Sequence, residues 1–214
     1  MDPAGHKFLH QPKETAAVGG VVLTHGAGAN CHAPLLITVA EALCAHGFYV
    51  LRYDLPFRRQ RPKGPPHPSG AEADRAGLAE AVAGMREIVQ GPVFLGGHSY
   101  GGRQASMLAA AQPDLVAGLL LLSYPLHPPG KPEQPRTAHF PELRTPALFV
   151  HGAKDEFGTE AEMKAALAMI PASTALMMIA GAGHDLKHGK FDLAAMIASF
   201  TSPSFVSHGF TSRS

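Results

Sequence analysis

The chain has 214 residues, of which 45% are hydrophobic and 16% charged, and its formal net charge is +1. This length and balance predict one folded domain over residues 1–200, and a near-neutral chain lacks the positive surface that binds nucleic acid. Residues 1–7 contain no apolar signal core, and the longest apolar run, 116–122, is too short to cross a membrane. We therefore expect a cytoplasmic protein with no membrane or nucleic-acid partner, ending in a flexible tail over residues 201–214.

Short apolar runs alternate along the chain with amphipathic stretches. The apolar runs predict strands over residues 18–24, 48–53, 93–96, 118–123, 147–151 and 175–179. The amphipathic stretches predict helices over residues 33–46, 71–89 and 100–112, a helix that begins near a capping box at Thr159, and a last helix over 191–200. The proline-rich stretches 55–70 and 125–141 predict loops. Because the strands are almost entirely apolar and alternate with helices, we expect an α/β fold with a mostly parallel, six- to seven-stranded sheet covered on both faces.

A serine motif follows the third predicted strand. The segment Gly97-His98-Ser99-Tyr100-Gly101 fits the pattern G-x-S-x-G in the strand–turn–helix context that a nucleophilic serine requires. The glycines on either side allow strand and helix to pass close together, so that the serine is lifted out of the sheet on a strained turn. We therefore predict Ser99 as a nucleophile, with the amide of Tyr100 as one donor to a developing oxyanion.

Two further motifs follow later predicted strands. Asp155 comes shortly after the strand 147–151, and His184 lies between small residues after the last strand. The carboxyl ends of parallel strands meet at one edge of a sheet, which is where such sheets bind ligands. We therefore predict His184 as the base and Asp155 as the acid that orients it. We prefer His184 to His188 because His188 lies farther from the strand end.

The ordered set of motifs resembles the α/β-hydrolase superfamily, in which the catalytic serine, aspartate and histidine follow one another in this order. The chain is similar to the small lidless enzymes of the dienelactone-hydrolase group, and to short hydrolases related to the testis-expressed and chromatin-complex hydrolase-like proteins. The segments that carry the resemblance are 23–28, 51–57, 96–102, 151–158 and 183–185. The chain departs from the family pattern before Val18, where at most one strand fits, and at Ser99, where dienelactone hydrolases proper use cysteine.

The resemblance implies a serine hydrolase that cleaves a small carboxylic ester or thioester through an acyl-enzyme, without a metal or an organic cofactor. It puts a second oxyanion amide in the loop after the first predicted strand, and we assign this role to Ala27. Because only a proline-rich loop follows Ser123, we expect an open pocket with no large cap domain. The aromatic side chains predicted to line this pocket are Phe57, Tyr124 and Phe157.

The charged residues after the second predicted strand have more than one interpretation. The basic cluster Arg58–Lys63 lies at the expected active-site edge and could attract an acidic substrate, but a solvated charged loop is the simpler interpretation. Asp54 could position a substrate, or it could end the strand and pair with Arg52 or another basic residue. The sequence decides neither role, and it does not indicate an oligomeric state.

Other functions fit parts of the sequence. A hydrolase-fold protein that binds partners without catalysis is one alternative, although degenerate members usually lose one of the three catalytic residues. The spacing of Gly26, Gly28 and Asp54 resembles a dinucleotide-binding fingerprint, but Cys31 occupies its third glycine position. A metal site is a third alternative, and its ligands would be His184, Asp185 and His188.

Overall fold

A computed structural model describes residues 5–13 and 17–202, and in it seven strands form one sheet. The strands are β1 (Lys7–His10), β2 (Gly19–Thr24), β3 (Phe48–Tyr53), β4 (Val93–His98), β5 (Leu119–Leu122), β6 (Ala147–Gly152) and β7 (Thr174–Ile179). Their order across the sheet is β1-β3-β2-β4-β5-β6-β7. Strand β1 runs antiparallel to β3, and the other neighbouring strands are parallel. The sheet is therefore mostly parallel, as predicted, and β1 is the one strand in the described part of the N-terminal segment.

Helices cover both faces of the sheet. They are α1 (Pro34–Ala45), α2 (Pro56–Gln60), α3 (Ala71–Ile88), α4 (Tyr100–Ala111), α5 (Glu160–Leu167) and α6 (Leu193–Phe200). Helices α1 and α6 pack on one face, and α3, α4 and α5 pack on the other. Each packs through apolar residues at helical spacing, as α1 does with Leu36, Val39 and Leu43. Within the described residues, no helix is long and apolar enough to cross a bilayer.

The boundaries of the predicted helices and strands differ from those of the structure by one or two residues. Helix α5 begins with the predicted capping box, in which the side chain of Thr159 accepts from the amide of Glu162 and the side chain of Glu162 accepts from the amide of Thr159. These paired bonds satisfy amides that a helix otherwise leaves open at its start. The flexible tail predicted over residues 201–214 stays a prediction, because residues 203–214 lie outside the described part of the chain.

The loop predicted over residues 55–70 is wrong in part. Helix α2 lies within it, and Pro68–Gly70 forms a short 3-10 turn. Pro56 is compatible with the first turn of α2, because the amide that proline lacks would have no partner there. Phe57 and Arg58 are both buried in this helix. A short sequence rich in proline and arginine does not signal a buried helix, since its single turn is stabilised by tertiary contacts.

The ends of the parallel strands define one functional edge. Thr24, near the end of β2, is level with Tyr53 on one side and with Gly97 on the other. Residues 123–146, which connect β5 to β6, contain no helix or strand longer than the 3-10 turn Phe140–Glu142. Among the residues that the structure describes, no large cap domain covers this edge, as the short proline-rich connection predicts.

Candidate active site

Ser99 lies on a sharp turn between β4 and α4, with φ of 52° and ψ of −117°, a conformation that residues with side chains rarely adopt. Strand and helix almost touch there. A Cβ added at Gly97 would lie 2.8 Å from the carbonyl carbon of Gly101, and one added at Gly101 would lie 2.5 Å from the carbonyl oxygen of His25. The strain costs about 1–3 kcal/mol, and the bond from the amide of Ser99 to the carbonyl oxygen of Leu122, at 2.9 Å, helps to hold the turn.

Ser99, His184 and Asp155 form a continuous hydrogen-bonded chain. The distance from Ser99 Oγ to His184 Nε2 is 2.8 Å, and that from His184 Nδ1 to Asp155 Oδ2 is also 2.8 Å. The Asp155 side chain is completely buried, whereas that of His184 is 25% exposed. A carboxylate can only accept, so the imidazole proton lies on Nδ1 and leaves Nε2 free to accept from the serine hydroxyl. This tautomer is the one that a general base for Ser99 needs.

Phe157 supports both of the partners of Ser99. Its amide donates to Asp155 Oδ1 at 2.9 Å, which fixes the carboxylate. Its ring stacks on the imidazole of His184, with ring centroids 4.1 Å apart and an angle of 30° between the planes. Phe157 therefore restricts the rotation of the imidazole while it also faces the adjoining cavity.

His98 makes a contact in the candidate site that the sequence does not predict. Its Nε2 donates to the carbonyl oxygen of His184 at 2.8 Å. Burial lowers the pKa of His98 to about 4, so at neutral pH its imidazole is uncharged and carries a single N–H. That N–H fixes the backbone of the loop that carries His184. The serine motif leaves its second position open to any residue, so only the fold brings this contact to light.

His188, the competing base, is exposed on the surface, whereas His184 is within hydrogen-bonding distance of Ser99. Asp185 forms an ion pair with Lys187 at 3.3 Å. Across residues 5–13 and 17–202, no group of three or more histidine, cysteine or acidic side chains is arranged to hold a metal ion. The structure therefore does not bring the alternative ligand set together.

A cavity of about 490 Å³ opens beside Ser99. Ala27 and Tyr100, whose amides are the predicted oxyanion donors, both line it, and so does Phe157. Tyr100 is the first residue of α4, so its amide has no acceptor within the helix. The structure thus gathers Ser99 and both predicted donor residues around one cavity, while His184 is hydrogen-bonded to Ser99.

Phe57 and Tyr124 do not line this cavity, contrary to the prediction. Tyr124 is fully buried, and its hydroxyl donates to the carbonyl oxygen of Arg136 at 2.7 Å. Phe57 packs edge-on against the ring of Tyr100, with centroids 5.7 Å apart. Both belong to the core between the sheet and helices α3, α4 and α5, where burying a large ring gains more free energy than exposing it in an open pocket.

The basic cluster Arg58–Lys63 is as a whole neither a site for an acidic substrate nor a solvated loop, because Arg58 is only 4% exposed. Its guanidinium donates to four backbone carbonyls, which are those of Ala27, Ala29, Arg61 and Gly64. The bond to the carbonyl oxygen of Ala27 is 2.6 Å long. Arg58 therefore ties the loop that carries the predicted oxyanion donor to the segment after α2, and it does not face a substrate.

Asp54 is also a structural residue. Its Oδ1 accepts from the amide of Cys31 at 2.5 Å, and its Oδ2 lies 2.9 Å from Nδ1 of His6. Arg52, the predicted partner, instead donates to the carbonyl oxygen of Cys31 and to His10. Only 4% of the Asp54 side chain is exposed, so it cannot reach a ribose, and the dinucleotide interpretation loses its acidic residue.

The side chain of Tyr100 is held by Asp74, which the sequence analysis also missed. The Tyr100 hydroxyl donates to Asp74 Oδ2 at 2.8 Å, and the amide of Phe57 donates to Asp74 Oδ1 at 3.0 Å. Burial and the bond to Asp74 raise the pKa of Tyr100. Its hydroxyl is therefore protonated at neutral pH and points away from the reacting serine towards α3.

Residues 17–197 match the model of a family described as an alpha/beta hydrolase domain. The match begins just before β2 and ends within α6, so it includes Ser99, Asp155 and His184 together with every strand except β1.

Solved structures share the fold at low sequence identity. The dienelactone hydrolase of Anabaena variabilis is 22% identical, with a TM-score of 0.69 over 93% of this chain and 89% of that one. A lidless α/β serine hydrolase of Xanthomonas campestris is 16% identical, with a TM-score of 0.65 over 97% and 90%. Est1E of Butyrivibrio proteoclasticus, solved with ferulic acid bound, is 17% identical, with a TM-score of 0.70 over 90% and 91%. At these identities the likeness concerns the fold, because one fold supports many activities.

Proposed function

This chain belongs to the α/β hydrolase family, and from that premise we propose that it is a serine hydrolase that cleaves a small carboxylic ester or thioester. The observation that carries the proposal is the hydrogen-bonded chain from Ser99 through His184 to Asp155. The distance from Ser99 Oγ to His184 Nε2 and that from His184 Nδ1 to Asp155 Oδ2 are both 2.8 Å. The cavity beside Ser99 supports a small-molecule substrate. In this proposal the chain needs neither a metal nor an organic cofactor.

In the first step, Oγ of Ser99 attacks the carbonyl carbon of the substrate while its proton passes to Nε2 of His184. Asp155 keeps the imidazole in the required tautomer and stabilises the imidazolium. The amides of Ala27 and Tyr100 donate to the oxyanion, and each such donor is typically worth about 3 kcal/mol in the transition state. The bond to the alcohol or thiol then breaks, His184 protonates the leaving group, and the acyl group remains on Ser99.

In the second step, water attacks the acyl-enzyme. His184, neutral again after the first step, accepts a proton from the water as its oxygen bonds to the acyl carbon. The same amides hold the second oxyanion. The acyl carbon then releases Oγ of Ser99, which takes the proton from His184, and the carboxylic acid leaves. The net reaction is one ester or thioester plus one water, giving one acid and one alcohol or thiol.

An activity-based probe tests the proposal directly. A fluorophosphonate reacts with an activated serine when Oγ attacks phosphorus and displaces fluoride. We expect a stable adduct on the peptide that contains Ser99, located by mass spectrometry, in the wild-type protein and in the control variant His188→Ala. We expect no adduct in Ser99→Ala or in His184→Ala, since each lacks one part of the nucleophile–base pair.

The alternative of a catalytically silent hydrolase-fold protein makes the opposite prediction. A folded protein whose Ser99 stays unlabelled, and which releases no alcohol or thiol from a panel of activated esters and thioesters, would refute the hydrolase proposal. A search for protein partners would then replace the search for substrates. Labelling of His184→Ala at the wild-type rate would mean that His184 is not the base.

A further inference from the structure

The cavity beside Ser99 is strongly positive for its size. Its lining includes the side chains of Arg75, Arg103 and Arg136, and no aspartate or glutamate. These arginines come from α3, from α4 and from the connection between β5 and β6, so only the fold brings them together. An open apolar pocket for a neutral ester has no need of three guanidinium groups.

Arg103 is the arginine closest in the chain to the nucleophile. It lies one helical turn after Ser99 on α4, and its amide donates to the carbonyl oxygen of Ser99 at 3.0 Å. Its side-chain Nε is buried and has no hydrogen-bond partner among the described residues. A buried donor on a charged group without an acceptor is costly, and in native proteins it calls for an explanation, such as a functional role or a bound water or ion.

Arg136 lines the same cavity, from the connection between β5 and β6. Its amide donates to the carbonyl oxygen of Leu126 at 2.7 Å, which holds its backbone in place. The one hydrogen bond of its guanidinium to the described residues is a long one of 3.5 Å, to the carbonyl oxygen of Pro125. Burial and then the positive charge of Arg103 lower the pKa of Arg136. The two guanidinium groups are therefore close enough to repel each other.

Nothing in the described part of the chain neutralises this positive charge by direct contact. None of the ion pairs found there includes Arg75, Arg103 or Arg136. Arg75 donates to the neutral amide oxygen of Gln104 at 2.9 Å. Asp74 is the acidic group nearest in sequence to Arg75, but its two oxygens accept from the amide of Phe57 and the hydroxyl of Tyr100.

We infer that the cavity recognises a carboxylate, so that the substrate is an ester or thioester whose acyl chain ends in a second, free carboxylate. This inference rests on the hydrolase function proposed above. In this proposal the leaving group faces His184, which protonates it, and the acyl part extends along α4 towards Arg103. A carboxylate there would receive charge-assisted bonds from Arg103 and Arg136, a geometry that guanidinium groups suit well.

A pair of matched esters tests the inference. The p-nitrophenyl monoester of adipic acid and p-nitrophenyl hexanoate share the leaving group and the acyl chain length, and they differ only in a terminal carboxylate or methyl group. We expect kcat/KM of the wild-type protein to be at least about tenfold higher for the monoadipate, as one charge-assisted contact allows. Because both esters are assayed on one preparation, the ratio does not depend on the fraction of active protein.

Variants assign the preference to individual arginines. We expect Arg103→Gln and Arg136→Gln each to lower the monoadipate-to-hexanoate ratio about tenfold, mainly through KM for the monoadipate, and Arg103→Lys to retain part of the preference. The control is Arg144→Gln, which removes the same charge from an exposed arginine outside the cavity lining and should leave the ratio unchanged.

The outcomes separate this inference from the function on which it rests. A protein that hydrolyses hexanoate at least as well as the monoadipate, or whose ratio does not respond to Arg103→Gln and Arg136→Gln, is still a hydrolase but has no carboxylate site. A protein that hydrolyses neither ester and leaves Ser99 unlabelled by the fluorophosphonate fails at the level of the proposed function.

Discussion

Arg58, which contacts the loop of Ala27, and the pair Arg103 and Arg136, which line the cavity beside Ser99, use their guanidinium groups in opposite ways. Arg58 is buried, and its guanidinium donates to four backbone carbonyls, one of which belongs to Ala27 beside the nucleophile. Arg103 and Arg136 face the cavity, and Nε of Arg103 has no partner among the described residues. Four of the five N–H groups of Arg58 are bonded to carbonyl oxygens. Arg136 makes one long bond to Pro125, and Arg103 interacts with the hydroxyl of Tyr124 but leaves Nε without a partner among the described residues.

This difference teaches how to separate structural cations from binding cations. A guanidinium whose N–H groups mostly donate to backbone carbonyls, as those of Arg58 do, has few donors left for a ligand. A guanidinium with open donors and no counter-charge lowers stability until an anion arrives, which is a common property of functional sites. We therefore expect Arg58 to matter for every substrate, and Arg103 with Arg136 to matter only for anionic substrates.

The largest expected effect is a loss of kcat in Asp155→Asn that is the same for charged and neutral substrates. Asp155→Asn should lower kcat for the monoadipate and the hexanoate alike by about ten-thousandfold, because an amide favours the wrong tautomer of His184. Steady-state kinetics with both esters measure this loss. Asp185→Asn is the matched control, since that carboxylate lies next to His184 in the chain but is 48% exposed and pairs with Lys187. A loss below about tenfold in Asp155→Asn would remove Asp155 from the proposed mechanism.

Arg58→Met should have the next largest effect, because it leaves the carbonyls of a buried network without their charged donor. We expect the free energy of unfolding to fall by about 3 kcal/mol, as measured by urea denaturation. Loss of the bond to the carbonyl of Ala27 should also displace an oxyanion donor, so that kcat falls about tenfold or more with both esters equally.

Lys63→Met is the control for this variant, because Lys63 belongs to the same basic cluster but is exposed. It should change neither stability nor kcat. If Arg58→Met instead selectively impaired hydrolysis of the monoadipate, Arg58 would bind substrate and the distinction between the two sets of arginines would collapse.

The sequence predicted what depends on local pattern and chain order. The strand–turn–helix motif predicts the strained turn at Ser99, and the rule that parallel strands bring their carboxyl ends to one edge predicts that His184 and Asp155 lie near it. The alternation of apolar and amphipathic segments predicted the sheet and the layers of helices that cover it. Each of these features depends either on residues that are close in the chain or on a general rule of sheet topology.

The sequence could not predict contacts that depend on side-chain direction. The arginines within 58–63 form a basic cluster that is visible in the sequence because they are close in the chain. Arg103 and Arg136 are far apart in the chain, and only the fold brings them to one cavity. Phe57 and Tyr124 were assigned to the pocket wall because they lie near the active-site edge, but their rings turn into the core. Whether a side chain near that edge faces the core or the cavity depends on packing that no local pattern encodes.

A pH-dependent effect, smaller per pH unit than that of Arg58, probes the electrostatics around Arg103. Burial, together with the charge of Arg103, lowers the pKa of His139 to about 4, whereas its ordinary value is 6.5. Between those values the unfolded chain binds a proton at this site and the folded chain does not. The stability that this group contributes is therefore complete above pH 6.5 and is lost as the pH falls towards 4.

His139→Gln should reduce that dependence. Its stability should fall less steeply than that of the wild type between pH 6.5 and 4, by at most about 1.4 kcal/mol per pH unit. Denaturation curves at several pH values measure the difference. Glutamine retains a donor for Ser106, which lies 2.8 Å from Nε2 of His139. Because His98 is also kept neutral by burial, part of the acid sensitivity should remain. Parallel stability curves for wild type and variant would contradict a neutral His139.

The smallest expected effect is a change in stability when Arg103 and Arg136 are both replaced. Its sign distinguishes arginines that bind a ligand from an arginine that supports the fold, as Arg58 does. If Arg103 and Arg136 are kept for a ligand, their mutual repulsion costs stability in the free protein, and the double variant Arg103→Gln/Arg136→Gln should be more stable by about 0.5–1 kcal/mol. Salt should narrow the difference, since it screens the repulsion in the wild type. Adipate should raise the melting temperature of the wild type and leave that of the variant unchanged, because a ligand stabilises only the state that binds it. A double variant that is less stable than the wild type would place these arginines with Arg58, as supports of the fold whose positive charge has no ligand to meet.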